Sequence, residues 1–184
     1  MGHIRQLSEN LANKIAAGEV VERPASVIKE LTENSIDAKA KSITILVEQG
    51  GTSKMCVIDD GIGMNRADAL LCFSRHATSK IVDENDLFNI TTLGFRGEAI
   101  PSIASISVFT LETNNGEENT KVEYEFGKRK NVSSVAMNRG TKITVERIFQ
   151  NVPARLKYMK SINAEFAAIY SYVERLALAH PEIS

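Results

Sequence analysis

Two short stretches of this 184-residue chain carry side chains suited to chemistry on a bound polar ligand. The first presents two carboxylates and an amide, at Glu30, Asn34 and Asp37. A carboxylate accepts protons and hydrogen bonds, and an amide carbonyl is a hard oxygen donor. The second stretch is the turn Asp-Asp-Gly-Ile-Gly, which begins at Asp59. If the fold brings the two stretches together, they can form one polar binding site.

The first stretch is predicted to be an amphipathic helix over residues 24–38. Pro24 suits its first turn, where the missing N–H is no loss and the fixed φ is already helical. Glu30 and Asn34 are one turn apart and therefore neighbours in space. With Asp37 they border the apolar stripe instead of lying opposite to it, and a polar row in that position indicates a cleft. The stripe, about 100° wide, consists of Val27, Ile28, Leu31, Ser35 and Ala38.

The second stretch follows a predicted β-hairpin of residues 42–48 and 54–58. Asp59 therefore stands at the exit of a buried strand, where a side chain is held rigidly at a cleft edge. Further strands, separated by turn residues, are predicted at residues 107–112, 121–126, 132–137 and 141–147. This pattern favours an α/β (α+β) two-layer sandwich, with a mixed, mostly antiparallel sheet and helices on one face.

Short helices are predicted around these strands. One covers residues 9–17, with Ser8 as its cap and Gly18 as its stop, and others cover residues 65–71 and 99–105. A short segment begins at Pro153, and a final helix ends at Pro181. The apolar face of that helix consists of Ile162, Phe166, Ile169, Val173, Leu176 and His180. Residues 74–98 are predicted to be a long, partly mobile loop, since polar residues and glycines interrupt any periodic pattern.

The composition is that of a single ordinary globular domain. Hydrophobic residues make up 43% and charged residues 24%, and the net charge of -1 gives no global indication of a nucleic-acid or membrane surface. Cys56 and Cys72 lie in apolar contexts and are predicted to be reduced core thiols. With no secretory signal and no long apolar run, we expect a cytoplasmic protein that does not contact a membrane.

Five sequence blocks closely resemble the N-terminal ATPase region of the MutL DNA mismatch-repair family. They are residues 20–38, 59–64, 75–80 (Arg-His-Ala-Thr-Ser-Lys), 94–99 (Gly-Phe-Arg-Gly-Glu-Ala) and 151–155 (Asn-Val-Pro-Ala-Arg). The helix and the glycine turn are shared with a wider superfamily, called GHKL, which includes DNA gyrase, Hsp90 chaperones and histidine kinases. The blocks at 75–80 and 94–99 narrow the resemblance to MutL. It implies a Bergerat-type ATP-binding fold.

The resemblance also implies roles for the polar residues. Glu30 matches the general base, and partial desolvation at the edge of an apolar stripe can raise its basicity. Asn34 matches the Mg²⁺ ligand, and Asp59 matches the residue that accepts a hydrogen bond from the adenine amino group. Each also has an ordinary explanation: a surface helix glutamate, a helix-face amide and a tight turn. Thr141 resembles a threonine near the adenine, or is simply a strand residue.

The remaining implied nucleotide contacts come from the turn and from a lid. Gly61 and Gly63 match positions where a side chain would block the base. Gly94 and Gly97 belong to a lid whose backbone amides wrap the triphosphate at a helix N-terminus, although each lid residue can also be read as part of a solvated loop. A Walker-type phosphate loop is absent from the sequence. The implied set is Asn34, Asp37, Asp59, Gly61, Gly63, Met64, Thr78, Ser79, Lys80, Leu93, Gly94, Phe95, Arg96, Gly97, Glu98 and Thr141.

The resemblance thus predicts a slow, Mg²⁺-dependent ATPase in mismatch repair, with ATP or ADP as ligand. Residues 1–184 would be the ATPase subdomain of a longer protein that forms a homodimer on ATP binding, and whose partners are the mismatch-recognition protein MutS and DNA. Two alternatives remain open: an ATP-gated interaction module with negligible turnover, or another GHKL ATPase of topoisomerase or chaperone type. Basic clusters at residues 128–130 and at Arg155, Lys157 and Lys160 can contact DNA phosphates or can be solvated faces.

Overall fold

The computed structural model of the chain describes Ile15, Ala17, Gly18, residues 20–75, Ala77 and residues 97–184. Its strands are β1 (Ile43–Glu48), β2 (Lys54–Asp59), β3 (Val108–Asn114), β4 (Asn119–Glu125), β5 (Lys128–Ser133) and β6 (Gly140–Glu146). Its helices are α1 (Pro24–Asp37), α2 (Arg66–Leu71), α3 (Ala99–Ser105), α4 (Pro153–Tyr158) and α5 (Ile162–Ala179). The strands form one sheet in the order β1-β2-β6-β3-β4-β5, and all five pairings in the described residues are antiparallel.

The core lies between the sheet and the helices. Alternate strand residues such as Met55, Phe109 and Val145 are fully buried and join the same apolar cluster as Ile28 and Leu31 of α1. On the other face of the sheet, Lys142 of β6 pairs with Glu112 of β3, and Lys121 pairs with Glu123 along β4. The two-layer α/β arrangement and the mostly antiparallel sheet that the sequence predicted are therefore confirmed. None of the helices in the described residues has the length and hydropathy of a membrane-spanning segment.

Helix α1 begins at Pro24 as predicted, and three neighbours fix its start. The residue before it, Arg23, forms an ion pair with the buried Glu165 of α5, with Nη2 and Oε2 2.9 Å apart. Glu165 also accepts a hydrogen bond from the backbone N–H of Lys160 at 3.0 Å. A β-carbon on Gly51, in the 3₁₀ turn between β1 and β2, would lie 2.7 Å from the Pro24 side chain. The first turn of α1 is therefore held tightly against α5 and this turn.

The start of β5 and the end of the first helix differ most from the sequence prediction. Strand β5 begins at Lys128, although the prediction placed it at residues 132–137. Phe126 and Gly127 both have positive φ, as in a tight two-residue hairpin turn, so pairing resumes at once with Glu125 opposite Lys128. Gly18 was expected to stop the first helix, but Gly18 and Val20 both have helical conformation. Most of the predicted loop at residues 74–98 lies outside the described residues.

The predicted apolar face of α5 is only partly correct. Ile169 is buried, but Ile162 and Phe166 are 49% and 50% exposed. The helix is rotated so that Glu165 faces the interior, because its carboxylate is paired with Arg23. Phe166 instead stacks on Tyr170 at the surface, with ring centroids 6.5 Å apart. A buried ion pair cannot be read from hydrophobic periodicity alone.

Candidate functional site

Asp59 lies directly against the helix that carries Glu30 and Asn34. The hydroxyl of Ser35 donates a hydrogen bond to Asp59 Oδ2 at 2.8 Å. Ser35 follows Asn34 in the sequence, and Glu30 precedes Asn34 by one turn. The exit of β2 and the second half of α1 therefore border the same region. The apolar pattern places Ser35 in the packing stripe of α1 and gives no sign of its hydrogen bond to the carboxylate.

The carboxylate of Asp59 is held by three hydrogen bonds. Besides Ser35, the backbone N–H groups of Gly61 and Thr141 donate to Oδ1 at 3.0 and 3.2 Å. Burial raises the pKa of Asp59 above its ordinary value, and the three hydrogen bonds oppose that rise because they stabilise the ionised form. Two donors occupy Oδ1 and one occupies Oδ2. A lone pair on Oδ2 thus remains for a donor on a ligand.

Asp59, Thr141 and Thr113 lie in one row across three neighbouring strands. Asp59 is opposite Thr141 in the pairing of β2 with β6, and Thr141 is opposite Thr113 in the pairing of β6 with β3. Thr141 is 8% exposed, and Thr113 is fully buried. Thr113 was missed because the predicted strand ended at residue 112. The signal was available, since a threonine two positions after the inward-facing Leu111 must face inward as well.

The two glycines of the Asp59 turn approach the protein's own backbone. A β-carbon on Gly61 would lie 2.7 Å from the carbonyl oxygen of Ala38. Gly63 has a φ of 67°, and a β-carbon there would clash with the carbonyl of Asn114. The N–H of Ile62 donates to the Ala38 carbonyl at 2.9 Å. The turn is therefore fixed between the end of α1 and the end of β3, which is a structural reason for both glycines.

Glu30, Asn34 and Asp37 are all half-buried on α1. The Glu30 carboxylate lies 3.8 Å from Lys29 Nζ, and the same ammonium lies 3.7 Å from Glu33. Burial raises the pKa of Glu33, while the charge of Lys29 lowers it. Two carboxylates thus share one lysine, but only Glu30 belongs to the polar row with Asn34. In the described part of the chain, no three His, Cys, Asp or Glu residues form a metal-binding cluster.

The predicted lid is described only at its ends. Thr78, Ser79, Lys80, Leu93, Gly94, Phe95 and Arg96 lie outside the described residues. Gly97 has a φ of 62°, and a β-carbon there would clash with the backbone carbonyl of Ala77. Glu98 is half-buried directly before α3, and its carbonyl accepts a hydrogen bond from Ser102 at 3.1 Å. The two ends of the lid segment are therefore close together, and a helix begins directly after it.

The Asn151–Arg155 motif connects distant parts of the backbone. Asn151 donates a hydrogen bond to the carbonyl of Ser105 at the end of α3, at 2.9 Å. Arg155 donates to the carbonyls of Gly18 and Val21 ahead of α1. The guanidinium of Arg155 is thus engaged inside the protein, and the basic cluster predicted from the sequence is smaller than expected at the surface. Its two lysines, by contrast, are exposed.

A surface groove of about 370 Å³ lies along α5, away from these residues. It is lined by Tyr170, Val173, Glu174, Ala177 and Leu178. None of the predicted site residues contributes to it. The groove is therefore separate from the region around Asp59.

Residues 22–158 match the family described as histidine kinase-, DNA gyrase B-, and HSP90-like ATPase. The chain is 57% identical over 185 residues to the DNA mismatch repair protein MutL of Geobacillus kaustophilus, covering 100% of this chain and 29% of that protein. It is 56% identical over 186 residues to MutL of Lactococcus lactis subsp. lactis, covering 100% of this chain and 28% of that protein. The chain thus spans less than a third of the length of these relatives.

Solved structures share the fold. The Aquifex aeolicus MutL ATPase domain complexed with ADP superposes with a TM-score of 0.67 at 29% identity, over 89% of this chain and 58% of that one. The N-terminal domain of a DNA repair protein superposes with a TM-score of 0.79 at 27% identity, over 94% of this chain and 50% of that one. The resemblance to MutL that the motifs indicated is confirmed. The chain belongs to the family of histidine kinase-, DNA gyrase B- and HSP90-like ATPases.

Proposed function

We propose that this chain is the ATP-binding part of a MutL-like DNA mismatch-repair protein and that it hydrolyses ATP slowly with Mg²⁺. The observation that carries the proposal is the 2.8 Å hydrogen bond from Ser35 to Asp59, because it joins the purine-reading carboxylate to the helix of Glu30 and Asn34. The ADP complex of the Aquifex aeolicus MutL ATPase domain supports nucleotide as the ligand.

Asp59 reads the base. It offers an acceptor on Oδ2, which pairs with the amino group of adenine and is repelled by the carbonyl that guanine has at the same position. Gly61, Gly63, Met64 and Thr141 surround this end of the site. The half-buried carboxylate, fixed by three hydrogen bonds, reads the base without needing to reorganise.

Glu30 acts as the general base. Its side chain is 26% exposed, so it is partly desolvated yet open to a water molecule. Asn34, half-buried and one turn away, supplies a hard oxygen donor for Mg²⁺, with Asp37 further along the same row. When bound, Mg²⁺ supplies positive charge that neutralises the triphosphate. A single protein ligand fits this ion, because Mg²⁺ keeps several waters and phosphate oxygens in its coordination shell.

The test compares Glu30→Gln with Glu33→Gln. Both variants remove a carboxylate within 4 Å of Lys29 on the same helix, so they cost the fold a similar ion pair. We expect Glu30→Gln to keep ATP binding in calorimetry and to lose hydrolysis by roughly 10²-fold or more, while Glu33→Gln hydrolyses ATP normally. Normal turnover by Glu30→Gln would show that another group is the base.

Ligand choice is tested separately by titration with ATP and GTP, each with and without Mg²⁺. We expect binding of ATP in preference to GTP, and tighter binding with the metal ion. If the wild-type chain binds ATP and GTP equally, Asp59 does not read the base.

A second function is switching by ATP binding itself. The ends of the lid segment meet at Ala77 and Gly97, directly before α3, so nucleotide bound there can order the segment between them. We propose that lid residues 78–80 and 93–98 contact the triphosphate and that this contact promotes homodimerisation of the longer protein. The longer protein acts with MutS and DNA in the cytoplasm, near the nucleoid if the source is bacterial. Light scattering of the longer protein with a non-hydrolysable ATP analogue tests this. An unchanged mass at saturation would contradict it.

A further inference from the structure

The buried hydroxyl of Thr113 has three polar neighbours. The backbone N–H of Met64 donates to it at 2.9 Å, and it lies 3.2 Å from the carbonyl oxygen of Gly140 and 3.2 Å from the hydroxyl of Thr141. Met64 directly follows the Asp59 turn, and Gly140 and Thr141 begin β6. One side chain on β3 thus connects the loop after β2 to the start of β6, beside Asp59.

Counting hydrogens determines the direction of each bond. A hydroxyl has one hydrogen and two lone pairs. The N–H of Met64 can only donate, so it takes one lone pair of Thr113. The carbonyl of Gly140 can only accept, so it takes the single hydrogen. The contact with Thr141 can run in either direction, but all three contacts are satisfied together only when the hydroxyl of Thr141 donates to the second lone pair of Thr113.

This assignment changes what Thr141 offers to a ligand. In the arrangement that satisfies all three contacts, its only hydroxyl hydrogen is engaged with Thr113, so its oxygen presents lone pairs alone. Thr141 lies opposite Asp59 in the sheet, and the ionised carboxylate also presents lone pairs alone. Both side chains at this edge are then acceptors. A purine amino group satisfies such an edge, while a purine carbonyl leaves it unpaired.

We propose that Thr113 is a positioning residue for base specificity, which acts by holding the Thr141 hydroxyl as an acceptor. The inference rests on the proposed function, since it concerns the same nucleotide site. Without the Thr113 hydroxyl, Thr141 is free to rotate and donate to the carbonyl of guanine. Loss of Thr113 therefore weakens discrimination between ATP and GTP, beyond any general loss of affinity.

The test measures the dissociation constants of ATP and GTP for the folded 184-residue chain by calorimetry. Thr113→Val removes the hydroxyl at nearly constant volume, and Thr113→Ser keeps it. Thr120→Val is the matched control, because Thr120 is equally buried, lies in the same row on β4 and is opposite Thr113. Should Thr113→Val fail to fold, Thr113→Cys, whose thiol is a weak hydrogen-bonding group, takes its place.

We expect the ratio of the GTP to the ATP dissociation constant to fall about fivefold or more in Thr113→Val, the size of one hydrogen bond. This ratio should return to the wild-type value in Thr113→Ser and stay unchanged in Thr120→Val. A Thr113→Val variant that binds both nucleotides more weakly at an unchanged ratio would show a purely structural role and overturn the inference. A wild-type chain that binds neither nucleotide would instead overturn the proposed function, and this inference with it.

Discussion

Replacing Ser35 by alanine should destabilise the protein in a pH-dependent way. Ser35 is 3% exposed and its hydroxyl donates to Asp59 Oδ2 at 2.8 Å, so the substitution removes one hydrogen bond to a half-buried carboxylate and leaves almost no cavity. Such a bond contributes roughly 1.5–3 kcal/mol. Two backbone donors remain on Oδ1, so we expect a loss of about 2 kcal/mol in the free energy of unfolding near neutral pH.

Acid should reduce this loss. Burial already raises the pKa of Asp59, and removing a bond that stabilises the ionised form raises it further. The cost of the substitution is therefore fully present above the folded-state pKa that Asp59 has in the variant and declines as the pH falls from there through the wild-type pKa, because the protonated carboxyl depends less on the donor. Once protonated, it makes only neutral hydrogen bonds, which contribute about 1 kcal/mol each.

Urea unfolding across the acid range is the assay, with Ser107→Ala as the control. Ser107 is also buried, and its hydroxyl donates at 2.7 Å to a neutral group, the carbonyl of Ile103. Its loss should be about 1 kcal/mol and independent of pH. If Ser35→Ala shows the same cost at every pH, or no more than Ser107→Ala, then Ser35 does not stabilise an ionised Asp59 and the reasoning is wrong.

Two further predictions concern residues away from Asp59. Arg155→Met should lower the free energy of unfolding, measured in urea, by roughly 1.5–3 kcal/mol, because two backbone carbonyls lose a charged donor. Lys157 is exposed on the same helix, and Lys157→Met should change that free energy by less than about 0.5 kcal/mol. Equal effects of the two substitutions would contradict this prediction. Burial raises the pKa of Cys72 to about 12 from an ordinary 9.0, so its thiolate fraction is about a thousandfold smaller and native Cys72 should resist alkylation at pH 8 until urea is added. Rapid modification of the native protein at Cys72, located by peptide mass, would contradict it.

The sequence was sufficient where local chemistry dominates. Pro24 at the first turn of α1, Asn65 at the start of α2 and the hairpin of β1 and β2 all lie where their residue types place them. Both cysteines are free, as predicted. The family resemblance implied that Asp59 shares a site with the polar row of α1, and the hydrogen bond from Ser35 brings Asp59 to that helix.

Long-range contacts account for the failures. The edge strand β5 does not alternate apolar and polar residues, because its first four residues are all exposed, so hydrophobic periodicity does not identify it. The rotation of α5 follows from the Arg23 pair with Glu165, two residues far apart in the chain. Gly18 remains helical while Arg155 binds its carbonyl. The function of Ser35 depends on a partner in another element, which hydrophobic patterning does not identify.

The charged start of β5 also affects how this protein resists aggregation. Lys128, Arg129 and Lys130 are all exposed on the last strand of the sheet. A foreign strand that tried to add to the sheet there would have to remove water from three closely spaced cations. The unfavourable desolvation of these side chains makes this border a poor template for cross-β growth, even while the rest of the chain is still folding.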